Sequence, residues 1–478
     1  MQDHFIGRQP ELTILEDALN SREAEMVAVI GRRRVGKTYL IKTKYEKEII
    51  FEITGLQNAN QQQQLDHFNF TVRQYIPSNL PIEQATNWLQ AFRILTQVLK
   101  NKLSKKKKVI FFDELPWLAK NKSGFLMGLE FFWNSWAVKQ NVVVVICGSA
   151  ASWMIEHLVN NTGGLYNRIT KRIYMQPFTL SETKLYLDSK GYRFSNYQIA
   201  ELYMAIGGIP HYLKEIKGNR STIQNIDLLC FSSNGLLRDE FSLMFSSLFE
   251  NAEKHRAIIR ALATSKQGLT RQKIVSISKV AENGNTTKVL EELQQSGFIT
   301  SYYPFGKKKK GMLYRLTDEY SLFYLQFIEN SAHEGLGTWK HLSQTQAYKT
   351  WRGYAFESLC LKHLTQIKKA LSIGGVYSQS SSFYKKGTKE EKGTQIDLVL
   401  DRNDQVINLF EIKFSNKPFV ITKSYAEQLR QKIWTFQAMT KTRKQLTLIF
   451  ITTFGLTQNQ YSLELVMDDL TLDDLFEH

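Results

Sequence analysis

The sequence predicts a multidomain α/β protein: a parallel sheet covered by helices, then a helical middle, then a second α/β domain. Three observations predict it. A strand–loop–helix pattern, "MVAVIGRRRVGKTYLIKTKY", comes early; a second apolar run, in "KKKKVIFFDELPWLA", ends in acid; and strand-like runs return in "TQIDLVLDR", "QVINLFEIKFS" and "LTLIFITTFG". At 478 residues the chain exceeds what one hydrophobic core serves, so three or four domains are expected.

The composition, 43% apolar and 22% charged, is that of a globular protein and excludes a disordered one. A net charge of +17 points to an anionic partner, nucleic acid first and an acidic membrane surface second. Cys147, Cys230 and Cys360 lie too far apart for a metal pair or a disulfide ladder, so each is expected to be a small buried hydrophobe. "MQDHFIGRQPEL" has no basic n-region and no apolar h-region. Runs such as "VVVVIC" and "LTLIFI" fall short of the ~20 residues that span a bilayer. A cytoplasmic protein with no membrane segment is expected.

In the first strand–loop–helix the loop is Gly31-Arg32-Arg33-Arg34-Val35-Gly36-Lys37-Thr38, an intact G-x-x-x-x-G-K-[ST]. The chemistry needs this spacing. The glycines let backbone N–H groups curl around a β-phosphate, and the helix that follows adds its positive end. Lys37 is placed to bridge β- and γ-phosphates and Thr38 to give a hydroxyl to Mg²⁺, so ATP and Mg²⁺ are the expected cofactors.

Val109 to Phe112 form the second buried strand, and Asp113 sits at its tip, where a Mg²⁺-associated carboxylate belongs. Glu114 is then placed to polarise the attacking water. The alternative, a pair of acids opening a helix, loses to this reading because of the P-loop upstream. The third strand, "NVVVVICGSAASWM", ends in small polar residues; Ser149 either senses the γ-phosphate or closes a strand-end turn. Arg168, in a polar turn, is either a finger for a neighbouring nucleotide, in a homo-oligomer, or a surface cation. Lys105 to Lys108 read as a solvated entrance to the acidic strand.

Together "FIGRQPEL", "GRRRVGKT", "VIFFDELPWL", "VVVVICGSAASWM", "LYNRITKRIYMQPF" and "GGIPHYL" resemble the archaeal-type AAA+/STAND-like ATPases. That family joins an ATPase sheet and helical lid to a winged helix and a C-terminal domain similar to PD-(D/E)xK nucleases, a restriction-endonuclease-like α/β fold. The resemblance implies ATP hydrolysis, places Phe5 to Arg8 beside the adenine, and matches Arg168 to the finger position. It implies an ATPase domain over 1–178, a lid over 179–250, a winged helix over 251–330 and the nuclease-like domain over 345–478. One departure is that "GGIPHYL" offers no lid arginine; by its residues it is a helix end, with Gly207, Gly208 and Pro210 as stop signals.

From Leu180 to about Glu250 apolar residues recur at helical spacing. Then "EKHRAIIRALATSKQGLTRQKIVSISKV" and "NGNTTKVLEELQQSGFITSYYPFGKKKKGMLYRLTDEY" fit three helices and a two-stranded wing, with Leu269, Ile274, Val289, Leu290 and Leu293 as core. The third helix is where major-groove readers sit, and Lys307 to Lys310 at the wing tip suit phosphates. Against direct DNA contact, Glu291 and Glu292 are expected on the exposed part of that helix, and a winged helix also serves as a regulatory element packed on an ATPase. No aromatic stacking motif of an RNA-binding sheet is present, which favours DNA over RNA.

At the far end, "WRGYAFESLCLKHLTQIKKAL" reads as a helix carrying Glu357, followed by a polar loop, two strands, a helix and a strand, an order similar to the PD-(D/E)xK core. Glu411 and Lys413 stand two apart on a strand and share a face; Asp397 opens the neighbouring strand. Two hard carboxylates, Asp397 and Glu411, suit Mg²⁺, with Lys413 to position a water or offset charge and Glu357 as a further carboxylate. Gln395 departs from the small or prolyl residue usual near that Asp, and no histidine assists. By itself Glu-x-Lys on a strand is a polar face. Two functions are therefore weighed: an ATPase coupled to a nuclease acting on nucleic acid, and a nucleotide-gated binding or scaffold protein whose C-terminal domain grips without cleaving.

Overall fold

The computed structural model describes residues 5–77, 83–120, 123–159, 165, 167–249, 251–307, 311–329, 331, 335–387 and 393–477. The chain divides into two compact units, residues 1–177 with 247–250, and residues 178–246 with 251–478.

The first unit is built on a five-stranded parallel sheet of β1 (Glu25–Ile30), β2 (Ile49–Thr54), β3 (Lys108–Asp113), β4 (Val142–Gly148) and β5 (Lys171–Tyr174), in the order β2-β3-β4-β1-β5. Every residue of β1 and β4 is buried, which is why β4 and, from Met26 on, β1 read as unbroken apolar runs rather than alternating ones. An aromatic cluster of Trp88, Phe92, Phe112, Phe125 and Phe132 packs within the core. Because the strands are parallel, the ends of β1, β3 and β4 share one sheet edge, the edge at which such folds bind ligands.

Lys107 corrects the expectation of a solvated lysine run. Lys105 and Lys106 are exposed, but Lys107 is buried and its ammonium donates to the carbonyls of Ala18, Ser21 and Glu23, the last two bonds at 2.9 and 2.5 Å. Those carbonyls lie at and just beyond the end of helix Gln9–Asn20, where the helix dipole and unpaired acceptors favour a cation.

The second unit begins with a helical region. Helices Leu180–Ser189, Asn196–Ile206 and Thr222–Ile226 each open on a capping box, Thr179 with Glu182, Ser195 with Gln198 and Ser221 with Gln224. Gly207, at φ +69°, ends the second of them as its sequence predicts, whereas Pro210 starts the short helix Pro210–Leu213.

Helices Ala252–Ala263, Arg271–Ser278 and Gly284–Gln295 follow, then an antiparallel ribbon of β6 (Ile299–Tyr302) and β7 (Leu313–Leu316), with Leu269 bridging Tyr314 beside it. Leu269, Ile274, Val289, Leu290 and Leu293 are all buried, as their helical recurrence predicts. Glu291 is exposed, but Glu292 is half-buried and accepts from His255 at 2.7 Å, so only one of the two acids faces outward. Lys307 is exposed; Lys308 to Lys310 lie outside the described residues.

The last part is a separate mixed sheet, ordered β12-β11-β10-β9-β8: β8 (Ser378–Lys385), β9 (Thr394–Arg402), β10 (Val406–Lys413), β11 (Gln445–Thr452) and β12 (Asp468–Leu470). β8, β9 and β10 pair antiparallel, while β10, β11 and β12 pair parallel, with helix Lys423–Thr440 as the crossover between β10 and β11. The serine-rich stretch expected to be a polar loop is strand β8. Its low hydrophobicity hides it, because only Phe383 is buried and the ladder to β9 holds it. Cys147, Cys230 and Cys360 are all buried thiols, and burial pushes each pKa up.

Candidate nucleotide site and a carboxylate–lysine cluster

In the first unit the nucleotide-type loop leaves β1 at Gly31. A Cβ there would lie 2.5 Å from the Met175 carbonyl oxygen, so only glycine fits. Gly36 has φ +92° and caps helix Lys37–Lys44, directing its first amides into the loop. Lys37 is buried and donates to the carbonyls of Gly31 and Arg32 at 2.8 and 2.9 Å and to Ser149 Oγ at 3.0 Å. Its ammonium is thus held within the loop's own cradle. Arg32 and Val35 are buried, and Arg33 and Arg34 half-buried. The "FIGR" segment lies against the same loop: Arg8 donates to the Val35 carbonyl at 3.4 Å, and Phe5 stacks on Tyr39 with ring centroids 5.6 Å apart. Tyr39, an exposed ring beside the loop, was missed in the sequence; its place directly after Thr38 is the available signal.

At the ends of β3 and β4 the remaining groups converge. Thr38 Oγ1 donates to Asp113 Oδ2 at 2.7 Å, bringing together a hydroxyl and a carboxylate on a P-loop, the hard-oxygen set that suits Mg²⁺. Glu114, at φ 47°, accepts from the Ser149 amide at 3.1 Å and from its hydroxyl at 2.5 Å. Ser149 therefore links the loop lysine to the acidic pair. Arg168 is exposed and does not join them. It precedes β5, whose Lys171 pairs with Val27, and the Thr170 amide bonds the Met26 carbonyl. The length of β1, roughly 20 Å at ~3.3 Å per residue, thus separates Arg168 from its own chain's loop.

In the second unit β10 and β9 carry the other set. The register pairing Phe410 with Leu398 places Asp397 opposite Glu411 one step further on, with Cβ atoms about 5 Å apart on one face. Glu411 is buried. It accepts from Lys413 and Lys432, each at 2.7 Å, and from the Tyr425 hydroxyl. Burial alone raises its pKa, but the two ammonium groups outweigh this and hold it below the usual carboxylate range. Burial works against the Lys413 charge, yet Glu411 beside it, with Asp397 and Glu357, raises its pKa. Glu357 is pushed up to about 7, first by burial and then by the charge of Asp397, with the Arg315 guanidinium 3.8 Å away. Asp397 accepts from Gln395 at 2.5 Å, and Gln395 in turn accepts from Gln267 at 2.6 Å.

So the four predicted residues Glu357, Asp397, Glu411 and Lys413 do come together. Among the described residues no three His, Cys, Asp or Glu side chains form a metal-holding group. Glu411 spends its oxygens on two ammonium groups and a phenol, while a Mg²⁺ ion needs near-octahedral oxygen ligands. The arrangement does not fit the metal role predicted for Asp397 and Glu411. Lys432 and Tyr425 were missed in the sequence, although their spacing of seven, two helical turns, puts them on one face of helix Lys423–Thr440.

Residues 5–216 match an ATPase domain family described as predominantly from Archaea. The matched span contains the loop, Asp113, Glu114, Ser149 and Arg168. Residues 324–430 match a family of archaeal and bacterial proteins of unknown function, a span that includes Asp397, Glu411 and Lys413 and stops short of Lys432. The chain is 25% identical over 437 residues to an uncharacterized protein of Methanocaldococcus jannaschii, covering 89% of this chain and 91% of that one. It is 46% identical over 46 residues to an uncharacterized ATP-binding protein of the same organism, 10% of this chain and 78% of that one. Among solved structures it is similar to the Walker-type ATPase of Pyrococcus abyssi, at 16% identity and a TM-score of 0.49, covering 68% of this chain and 96% of that one. Among the described residues no helix is long and apolar enough to cross a membrane.

Proposed function

We propose that this protein binds ATP with Mg²⁺ at the first-unit site and hydrolyses it, and that nucleotide state governs a nucleic-acid-binding C-terminal region. The observation that carries the ATPase reading is the 2.7 Å contact between Thr38 Oγ1 and Asp113 Oδ2, at the mouth of a loop whose lysine is already drawn into the phosphate cradle. Thr38 and Asp113 are the residues to hold Mg²⁺, which when bound offsets charge on the β- and γ-phosphates. Lys37 binds the phosphates in place of the Gly31 and Arg32 carbonyls. Glu114 takes a proton from the attacking water once its carboxylate leaves Ser149. Phe5 and Tyr39 offer a ring surface for the base. Arg168 serves a neighbouring subunit if the chain assembles, DNA ranking ahead of RNA as the polymer bound. Purified protein should hydrolyse ATP, and Lys37→Ala should abolish it; turnover that survives Lys37→Ala removes the assignment.

For the C-terminal region, nuclease-like by its resemblance, the occupied oxygens of Glu411 favour binding without cleavage over a metal-dependent nuclease. The three helices and ribbon between residues 252 and 316 are consistent with a winged helix that adds phosphate contacts. Plasmid incubated with Mg²⁺ or Mn²⁺ should remain intact. Nicking that Asp397→Ala abolishes returns the nuclease reading.

A further inference from the structure

We infer that Lys432 is a resident cation of the C-terminal cluster: its ammonium takes the place on Glu411 that a divalent ion would need, and closes the site to metal. Lys432 reaches Glu411 from the crossover helix Lys423–Thr440 and binds Oε2 at 2.7 Å. The other carboxylate oxygen, Oε1, is already taken by Lys413 at 2.7 Å and by the Tyr425 hydroxyl. Two ammonium groups on one buried carboxylate more than balance its charge, so no negative charge is left over at Glu411 to draw in a divalent ion. Asp397, opposite, is tied to Gln395 at 2.5 Å, and with Glu357 near it the three carboxylates do not form a metal-holding group while Lys432 is in place.

The pattern is that of a site whose cation is supplied by the chain itself. A phosphodiester arriving there meets ammonium groups without a metal-bound water to attack it, so it is held and not cut. That ligand rests on the nucleic-acid reading above; exclusion of metal rests on the Glu411 geometry alone.

The test is Mn²⁺ binding to nucleotide-free full-length protein, read by the electron paramagnetic resonance of free Mn²⁺ up to about millimolar. Wild type and Glu411→Gln should give the same isotherm. Lys432→Gln should gain one Mn²⁺ per chain, bound at least tenfold more tightly than any wild-type site, and adding Glu411→Gln to it should remove that ion. A wild-type Mn²⁺ site that Glu411→Gln abolishes overturns the inference, as does a folded Lys432→Gln protein that gains none. Should Lys432→Gln fail to fold, Lys432→Met keeps the aliphatic stem and replaces it; the wild-type comparison decides in either case. A 20-base-pair duplex is titrated into the same samples by fluorescence anisotropy, with Mg²⁺ and with EDTA. Equal affinity in the two supports the inference, and a need for Mg²⁺ that Glu411→Gln removes overturns it. Failure to bind duplex in either buffer removes the nucleic-acid reading instead, and leaves the Mn²⁺ isotherms to decide this one.

Discussion

Ser149 holds Glu114 by two hydrogen bonds, amide to Oε2 at 3.1 Å and hydroxyl to Oε1 at 2.5 Å, while the same hydroxyl accepts from Lys37 at 3.0 Å. A hydroxyl has one proton to donate, so a γ-phosphate that draws it away must loosen Glu114. Ser149→Ala is therefore expected to change kcat and leave ATP affinity within about threefold. Ser149→Thr, which keeps the hydroxyl, should restore most of the rate. Stopped-flow hydrolysis with a separate nucleotide-binding titration distinguishes this from a strand-end turn, for which both substitutions would act on stability alone.

Glu114→Gln keeps the shape of the acidic pair and removes the base. ATP binding should persist while hydrolysis falls on the order of a hundredfold, about 3 kcal/mol of barrier. Thr38→Ala, by contrast, should weaken Mg²⁺-dependent nucleotide binding itself, because it removes the hydroxyl that meets Asp113. Equal loss of binding in both variants would contradict the division of roles.

Arg168 stands at the sheet edge away from its own loop, exposed. As a finger it acts only on a neighbour's nucleotide. Turnover per chain should then rise with protein concentration in wild type, and Arg168→Ala should lower the high-concentration rate by at least tenfold. A concentration-independent rate that Arg168→Ala leaves unchanged makes it a surface cation.

His363 is buried in the second unit, where Nε2 accepts from the Leu180 amide at 3.1 Å and Nδ1 lies 2.8 Å from the Leu359 carbonyl. Burial lowers its pKa to about 4 from an ordinary 6.5. The unfolded chain therefore binds more protons between those values. Stability is full above about pH 6.5 and is lost as pH falls towards 4, by about 3 kcal/mol in all. His363→Gln should flatten that part of a denaturation-against-pH curve; an unchanged curve would assign the loss to other groups.

Lys107 caps a helix end with three carbonyl contacts while its own burial lowers its pKa. Lys107→Met should cost about 1–3 kcal/mol in chemical denaturation, since the carbonyls lose their donor. Lys106→Met, at an exposed position, should stay within about 0.5 kcal/mol.

The P-loop, Asp113 at a strand tip and the small core around Ile274 and Leu290 were legible because each rests on local spacing: glycines for a curled backbone, an unbroken apolar run for a buried strand, a three- or four-residue recurrence for a helix face. Asp397, Glu411 and Lys413 were legible as one face of adjacent strands for the same reason. Strand β8 was not, because a serine-rich edge strand is held by its ladder and not by its hydrophobicity. What Glu411 holds was decided by the tertiary structure alone. Tyr425 and Lys432 come from 14 and 21 residues further on, brought back by a crossover helix, and only that return shows a buried carboxylate already balanced by the chain's own cations. Residue types and spacings determine which groups can meet; which charges remain available after they meet depends on neighbours that are distant in the chain.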